Sequence, residues 1–302
     1  MLPPDTRPLH RWTRVLFWLN LAVEIGIVLT GGLVRLTGSG LGCPDWPQCV
    51  PGSLTPVAAQ GSWHKYVEFG NRTLTGLVSF VAVALIVAVV VEQRVYGRRK
   101  KLVAPLLGVL AGIALQAIVG GISVHLKLNP WIVATHFLGS MVLVWASAWL
   151  VWRSREGEGA PVPVVRREVR ALGWVIAALT GVVLLLGTLV TGAGPHSGDA
   201  NAPARLGVEP RTMAWLHADA VMLYCGLIIG MVLAVRLLAT SPRTRRAWTV
   251  VLSVVVLQGV VGYTQYFLGV PAALVLIHML LASLLVVAVT WAVLSLRERA
   301  EV

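Results

Sequence analysis

Three histidines inside long apolar segments are the residues of this sequence best suited to bind a metal. His136, His217 and His278 each lie about five to seven residues past the start of an apolar run. At 1.5 Å per residue, this puts them at a similar depth, roughly 8–10 Å below a membrane boundary. Two imidazoles that face each other across a helix bundle can ligate a haem iron axially. We predict such a pair in His217 and His278; the alternative for each is a hydrogen-bonded packing histidine.

A second group of reactive side chains opens another apolar stretch, in the segment "EFGNR". Glu68, Asn71 and Arg72 fall within five residues, and membrane helices rarely carry a carboxylate, an amide and a guanidinium so close together without a use for them. If the helix begins just before His64, then His64, Glu68, Asn71 and Thr75 share one of its faces. An ion pair between Glu68 and Arg72, four residues apart, is the purely structural alternative.

The elements that must position these residues are membrane helices. The chain has 302 residues, 57% of them hydrophobic and only 13% charged, with a mean hydropathy of +0.78. A soluble domain carries about twice that share of charged residues. We therefore predict an all-α integral membrane protein with eight transmembrane helices. They are expected at about 15–36, 68–92, 102–124, 131–152, 170–191, 212–238, 247–268 and 271–295.

The net charge of +12 reports the topology of the chain. Nineteen of the 25 basic residues cluster on one side, before the first span, in alternate connections and after the last span. These residues are Arg7, Arg11, Arg14, Arg94, Arg98, Arg99, Lys100, Lys101, Arg153, Arg155, Arg166, Arg167, Arg170, Arg236, Arg243, Arg245, Arg246, Arg297 and Arg299. The positive-inside rule then places both termini in the cytoplasm and the long connections 37–67 and 192–211 outside, so no nucleic-acid partner is needed to explain the charge.

Two of the three cysteines lie in the first outside connection, in "GCPDWPQC". An outside loop permits disulfides, and five intervening residues with two prolines can close a small ring. We predict a Cys43–Cys49 disulfide; a metal or redox site is the alternative, for which the spacing is wrong. Cys225 lies inside a predicted helix and is expected to be an inert core residue.

The chain also contains a repeat. "LQAIVGGISVHLKLNPWIVATHFLGS" resembles "LQGVVGYTQYFLGVPAALVLIHMLLAS", with Gln116 matching Gln258, Gly120 matching Gly262, and His136 matching His278. We predict two parallel four-helix halves, 1–160 and 161–302. By this repeat the partner of His136 should lie near the start of span two, where the sequence has Asn71, a poor iron ligand. His136 would then bind alone, or with His64, and such an open site suits substrate chemistry.

The run "GGLVRLTGSGLGCPDWPQC", the segment "EFGNR" and the single histidines of spans four, six and eight together resemble the haem A synthase family. The resemblance covers nearly the whole chain. It implies an eight-helix, two-half enzyme that oxidises the C8 methyl group of haem O to a formyl group, giving haem A for cytochrome oxidase. It further implies a cofactor haem b on His217 and His278, and a substrate haem in the first half with His136. Many members have a histidine where this chain has Asn71.

The resemblance also suggests roles for the charged residues of the first half. Glu68 is the expected catalytic residue, accepting or relaying protons as the methyl group is oxidised. Arg72 and Arg35 are expected to pair with haem propionates, or else to be interfacial residues that extend outward. With Asn71, His64 and His136, these arginines form the predicted substrate-haem site.

The expected location is the cell membrane, with the haem sites near the outer leaflet. The expected partners are the haem O substrate, haem O synthase, the cytochrome oxidase assembly machinery and the lipid bilayer, and a homo-oligomer is allowed for. Two other functions remain open: a di-haem b electron-transfer cytochrome, and a haem or quinone carrier without chemistry.

Overall fold

A computed structural model of the protein describes residues 9–57, 63–97, 100–199, 204–239 and 241–299. This part of the chain contains eight helices that are long and apolar enough to cross a membrane, which confirms the predicted all-α integral membrane fold. They are α1 (Arg11–Leu36), α2 (His64–Tyr96), α3 (Val103–His125), α4 (Pro130–Arg153), α5 (Arg167–Ala193), α6 (Pro210–Leu238), α7 (Pro242–Phe267) and α8 (Ala272–Leu294). Arg7, Arg98, Arg99 and both chain ends lie outside the described residues.

Successive helices run in opposite directions, so the bundle has two distinct ends. The loop end carries the long connections between α1 and α2 and between α5 and α6. The basic end carries the arginines that follow α4 and α8 and precede α5 and α7. Helix α2 begins at His64, four residues earlier than the apolar run suggests, so "EFGNR" lies within the helix and not at its first residue.

The helix ends follow from local sequence. Asn129 caps α4 by accepting a hydrogen bond from the Trp131 N–H at 3.0 Å, and Pro130 occupies the first turn. Glu209 caps α6 in the same way, accepting hydrogen bonds from Thr212 and from the Arg211 N–H, and Pro210 follows it. Hydrogen bonds from Thr212 and then from Arg211 lower the pKa of the Glu209 carboxyl.

Each group of four helices encloses its own apolar core. In α1–α4 every helix packs on its neighbours in sequence and α1 also packs on α4; α5–α8 repeat this ring of contacts, with α5 packed on α8. The first core includes the fully buried Leu85 and Val144, and the second includes the fully buried Ile176 and Trp248. Helix α8 also packs on α1 and α4, and its Val286 and Val287 belong to the first core.

Two short strands join the groups at the basic end. Strand β1 (Pro161–Pro163) lies in the connection between α4 and α5, and pairs antiparallel with β2 (Arg297–Arg299), which follows α8. A single 3-10 turn, Lys100–Leu102, precedes α3. These strands could not be predicted from the sequence, because three-residue strands leave no periodic hydrophobic pattern.

Candidate functional site

The three embedded histidines lie at one level of the bundle. Each is six or seven residues from the loop end of its helix, roughly 9–11 Å along the helix axis. Asn71 is also seven residues from the start of α2. Helices α2 and α4 stand diagonally across the first ring, and α6 and α8 across the second. The three histidines and Asn71 therefore lie at one depth in the two groups.

Each imidazole packs against a glycine of a neighbouring helix. A Cβ atom at the glycine would already lie 3.2–3.5 Å from the histidine Cε1, so a side chain that extends beyond Cβ towards the ring would displace it. The pairs are Gly120 with His136, Gly187 with His217, and Gly262 with His278. These glycines fix where the rings sit, and the first and last pairs are the ones that the sequence repeat matched.

The same three rings carry buried nitrogen atoms without a hydrogen bond. Among the described residues, the Nδ1 atoms of His136, His217 and His278 are buried and have no hydrogen-bond partner. Buried polar atoms in proteins are nearly always hydrogen-bonded, so three exceptions of one residue type at one depth require an explanation. Imidazole rings that would ligate a haem iron, and be oriented by it, fit this pattern.

The four other histidines contrast with these. Each places a ring nitrogen within hydrogen-bond distance of a protein oxygen: His10 with Glu92 at 3.0 Å, His64 with Ser39 at 2.8 Å, His125 with Trp46 at 3.2 Å, and His196 with Val270 at 2.9 Å. The geometry therefore singles out three histidines whose buried Nδ1 atoms have no hydrogen bond, although the His217 ring also interacts with the Val183 backbone.

In the second group, His217 and His278 lie on α6 and α8, which stand across the ring of helices from each other. The two side chains are close enough for their charges to interact. Gln258 donates a hydrogen bond from Nε2 to the His278 carbonyl at 3.1 Å, which ties α7 to α8 beside the ring. The residues present fit the two-imidazole haem site that the sequence predicted.

In the first group, Asn71 takes the position opposite His136. Its Oδ1 accepts a hydrogen bond of 2.7 Å from the Thr30 hydroxyl of α1, so the amide oxygen is already engaged. His64 bonds to Ser39 and its ring stacks on Trp63, with 4.1 Å between centroids. These contacts leave His136 as the candidate ligand of this group that has a buried, unbonded nitrogen.

Glu68 and Arg72 turn towards the disulfide loop, residues 43–49, which contains Trp46. The Cys43–Cys49 disulfide is present, as predicted, with a Cα–Cα distance of 4.3 Å. Glu68 is buried; its Oε2 accepts a hydrogen bond from the Cys43 N–H at 2.7 Å, and its Oε1 forms an ion pair with Arg72 at 2.5 Å. The i,i+4 ion pair noted in the sequence is therefore formed, and it is part of a larger contact.

All five N–H donors of Arg72 are occupied. Two bond to Glu68, and the other three bond to the carbonyl oxygens of Cys43, Asp45 and Gln48 at 2.8–3.0 Å. A guanidinium has five donors in a fixed fork, so none is left for a haem propionate. The expected propionate role of Arg72 is not supported by this geometry, which makes Arg72 the anchor of the disulfide loop.

The disulfide loop covers the loop end of the first group. The Trp46 indole packs against Gly121 of α3 so closely that a Cβ there would overlap the ring. The preceding residue on α3, Gly120, is the one that contacts His136. Trp46 and His136 therefore pack against adjacent residues of α3, Gly121 and Gly120. Trp46 was not predicted as a site residue from the sequence. The adjacent glycines Gly120 and Gly121 could have indicated that two rings pack here, since two small residues allow close approach.

Arg35 joins the two groups of helices at the loop end. Its Nε donates to the His196 carbonyl at 2.6 Å and its Nη2 donates to the Thr191 carbonyl at 2.9 Å. Nearby, the Gly40 N–H donates to the Gly198 carbonyl at 2.9 Å. Among the described residues no bond from Arg35 Nη1 is present, so a propionate could use this nitrogen while Nε and Nη2 bond to the His196 and Thr191 carbonyls.

The sequence is similar to known proteins over most of its length. A sequence model of the COX15-CtaA family, described as cytochrome oxidase assembly protein, matches residues 14–290. The relatives include a protein named heme A synthase from Rhizobium leguminosarum bv. trifolii, 26% identical, with 91% of this chain and 88% of the relative covered. A heme A synthase from Staphylococcus saprophyticus is also 26% identical, with 91% of each chain covered.

A third relative, heme A synthase from Lysinibacillus sphaericus, is 34% identical over 40% of this chain and 39% of its own. The family match spans all eight helices and includes Glu68, His136, His217 and His278. The bundle, the disulfide loop and the embedded histidines thus belong to a chain whose whole membrane region matches one family. This protein is a member of the COX15-CtaA family of cytochrome oxidase assembly proteins.

Proposed function

We propose that the protein is a haem A synthase, which oxidises the C8 methyl group of haem O to the formyl group of haem A. This conversion is a four-electron oxidation that adds one oxygen atom, so it needs an electron acceptor as well as a source of oxygen. The proposal rests chiefly on three embedded imidazoles whose buried Nδ1 atoms have no hydrogen bond, within a chain that matches the family along almost its full length. Two haem sites would suit this reaction, because the substrate is itself a haem and a second haem could exchange electrons with it.

We assign the second group of helices, within 161–302, to a resident haem b. His217 and His278 would hold it from opposite sides, and Gly187 and Gly262 keep both rings in place. A haem with two imidazole ligands supplies one-electron transfer when bound. The apolar core beneath the rings, which includes Tyr224, excludes water from this site.

We assign the first group, within 1–160, to the substrate haem. His136 is its candidate iron ligand. The hydrogen bond from Thr30 turns the Asn71 amide towards α1, so this side offers no second strong ligand. A haem whose iron has one protein ligand is easier to release than one with two, and the product haem must be released. Arg35 is the candidate for a propionate, through the donor that α5 does not use.

Glu68 has two roles in this proposal. Through Arg72 and the Cys43 N–H it fixes the disulfide loop over the substrate site, and this role follows from its contacts. Its expected role as proton acceptor stays a prediction; the oxidation breaks two C–H bonds of the methyl group, and Glu68 is a buried carboxylate close to the loop end of α2. The two roles predict different haem A formation in the variants Glu68→Gln and Arg72→Gln.

The protein is a multi-pass membrane protein. We propose that it lies in the plasma membrane with the basic end in the cytoplasm, which puts both termini inside and both haem sites near the outer leaflet. We further propose that it receives haem O from haem O synthase and passes haem A to cytochrome oxidase assembly. A homo-oligomer remains compatible with this arrangement.

The test is pigment extraction from the purified full-length protein, co-expressed with a source of haem O. Haem A or its hydroxylated precursor beside haem b is expected. His217→Ala and His278→Ala should each abolish the low-spin haem b spectrum, whereas His125→Ala, whose ring bonds to Trp46 at the protein surface, should keep it.

Other pigment contents would reject the proposal in different ways. Haem b in both groups, with no haem A, would favour a di-haem cytochrome. A purified chain without haem would favour a carrier. An unchanged bis-imidazole spectrum in either histidine variant would show that the ligands are wrongly assigned.

A further inference from the structure

A cleft at the basic end, far from the histidines, has no part in the proposed chemistry. It has a volume of about 430 Å³ and lies between α4, α7 and α8. Its lining includes Trp152, Arg243, Arg246, Ala247, Val250 and Trp291. Trp152 and Trp291 lie within a turn of the ends of α4 and α8, and Arg243 is in the first turn of α7. The cleft is therefore at the level where a membrane changes from hydrocarbon to headgroups.

The positive charge of the cleft is available to a ligand. The Arg243 guanidinium lies over the Trp152 ring, 3.8 Å from its centroid, which holds it at the mouth of the cleft. Within the described residues, neither Arg243 nor Arg246 has a hydrogen bond or a close ion pair. The charged groups that act on Arg243 are the carboxylates of Glu156 and Glu298 and the guanidinium of Arg155.

Glu156 is already committed elsewhere. One of its oxygens accepts a hydrogen bond from Trp152 Nε1 at 2.8 Å, and the other lies 3.5–3.6 Å from Arg299 and Arg297. It therefore balances the arginines of β2 and does not close the cleft. Two arginines with unfilled donors beside one another are a site for an anion with several oxygens.

The walls of the cleft suit a hydrocarbon chain. Arg243, Arg246, Val250 and Leu257 follow one another along one face of α7 at helical spacing, with Val250 and Leu257 about half exposed. The far wall is fixed, because Trp291 Nε1 donates to the Ala148 carbonyl at 2.9 Å and its ring meets Trp18 edge-on. The cleft therefore offers positive charge at the membrane boundary and an apolar surface further into the membrane. A phospholipid has its charged headgroup and its acyl chains in the same order.

We propose that this cleft binds an anionic phospholipid, with its phosphate on Arg243 and Arg246 and its acyl chain along the apolar face of α7. Basic pockets between transmembrane helices are a recurring way to hold such headgroups. Because α4 belongs to the first group of helices and α7 and α8 to the second, the lipid would brace the seam between them. A neutral ring such as a quinone has no use for two guanidinium groups.

The test uses the full-length protein, freed of lipid in detergent and titrated with phosphatidylglycerol or phosphatidylcholine, with bound lipid counted by native mass spectrometry. The wild type is expected to bind one phosphatidylglycerol at least about tenfold more tightly than phosphatidylcholine. Arg243→Gln/Arg246→Gln should lose this preference. Arg166→Gln/Arg167→Gln removes two exposed arginines of the basic end outside the cleft, and should keep it.

Folding is checked by helical circular dichroism and by elution volume. The single variant Arg246→Gln, whose side chain has no bond among the described residues, should lose part of the preference even if the double variant misfolds. Equal binding by wild type and double variant would overturn the proposal, as would an equal loss in the control pair. Displacement of the lipid by inorganic phosphate at similar concentration would also overturn it, because the site would then bind a free anion.

Discussion

Glu68 and Arg72 show how two side chains can determine the position of a whole loop. Together they bond to Cys43, Asp45 and Gln48, so the disulfide loop rests on one turn of α2. Removing one partner of a buried charge pair leaves the other without compensation, which costs far more than losing an exposed pair. The contact therefore has consequences for the loop whether or not Glu68 also exchanges protons.

The two roles of Glu68 are separated by comparing Glu68→Gln with Arg72→Gln. Both variants break the ion pair, so in both we expect the Cys43–Cys49 disulfide to be reduced faster by dithiothreitol. If Glu68 also accepts protons, its variant should lose about 10²–10⁴-fold more haem A formation than the arginine variant, with haem O or its hydroxylated form accumulating. Equal losses in both, with the same reduction rate, would limit Glu68 to holding the loop.

At the scale of helices, the sequence determines how deep each embedded histidine lies, and the packing of neighbouring helices determines where its ring is held. The hydropathy of the chain predicted all eight helices, because a span of about 20 apolar residues is required by the membrane itself. The equal depth of the histidines was also predictable, since it needs only their distance from the helix start. The glycine opposite each ring was not, because it belongs to a different helix and only packing brings it there.

Gly262→Val tests whether that packing positions the haem b ligand. The added side chain would displace His278, whose Cε1 is only 3.2 Å from where a Cβ would lie, so we expect a marked loss of haem b absorbance. Gly259→Val is the matched control, one turn away on the same helix, where a Cβ would have no neighbour within 4 Å. Equal haem b content in the two variants would show that the glycine does not hold the ring.

At the scale of the whole molecule, the connections hold most of what sequence could not predict. Arg35 reaches from α1 to α5 and His196, and the Arg72 fork takes three carbonyls of the disulfide loop. Apart from the bond to Thr191 in the last turn of α5, these bonds are made to backbone atoms of irregular segments rich in proline and glycine. Such segments have no periodicity, so residue types alone indicate that Arg35 and Arg72 have a use but not which one.

The orientation of the bundle gives a prediction at this scale. If the basic end lies in the cytoplasm, as proposed from the charge asymmetry, then reporter enzymes that work only in the cytoplasm should be active when fused after Arg155 and after Arg245. A reporter near Gly198, in the connection at the loop end, should be active only as an external one. An external signal at either arginine position would reverse the proposed topology and move both haem sites to the inner leaflet.

The placement of α8 has a consequence for how the protein is made. Its Val286 and Val287 complete the core of the first four helices, and β2 behind it pairs with β1 between the groups. The ribosome releases α1–α4 into the membrane long before α8 exists. The newly inserted first group must therefore wait with part of its core uncovered, facing lipid or an insertion factor, until the last span arrives. If the first group binds the substrate haem, as proposed, a haem loaded before that moment would enter an incomplete group of helices, so loading should follow the end of translation.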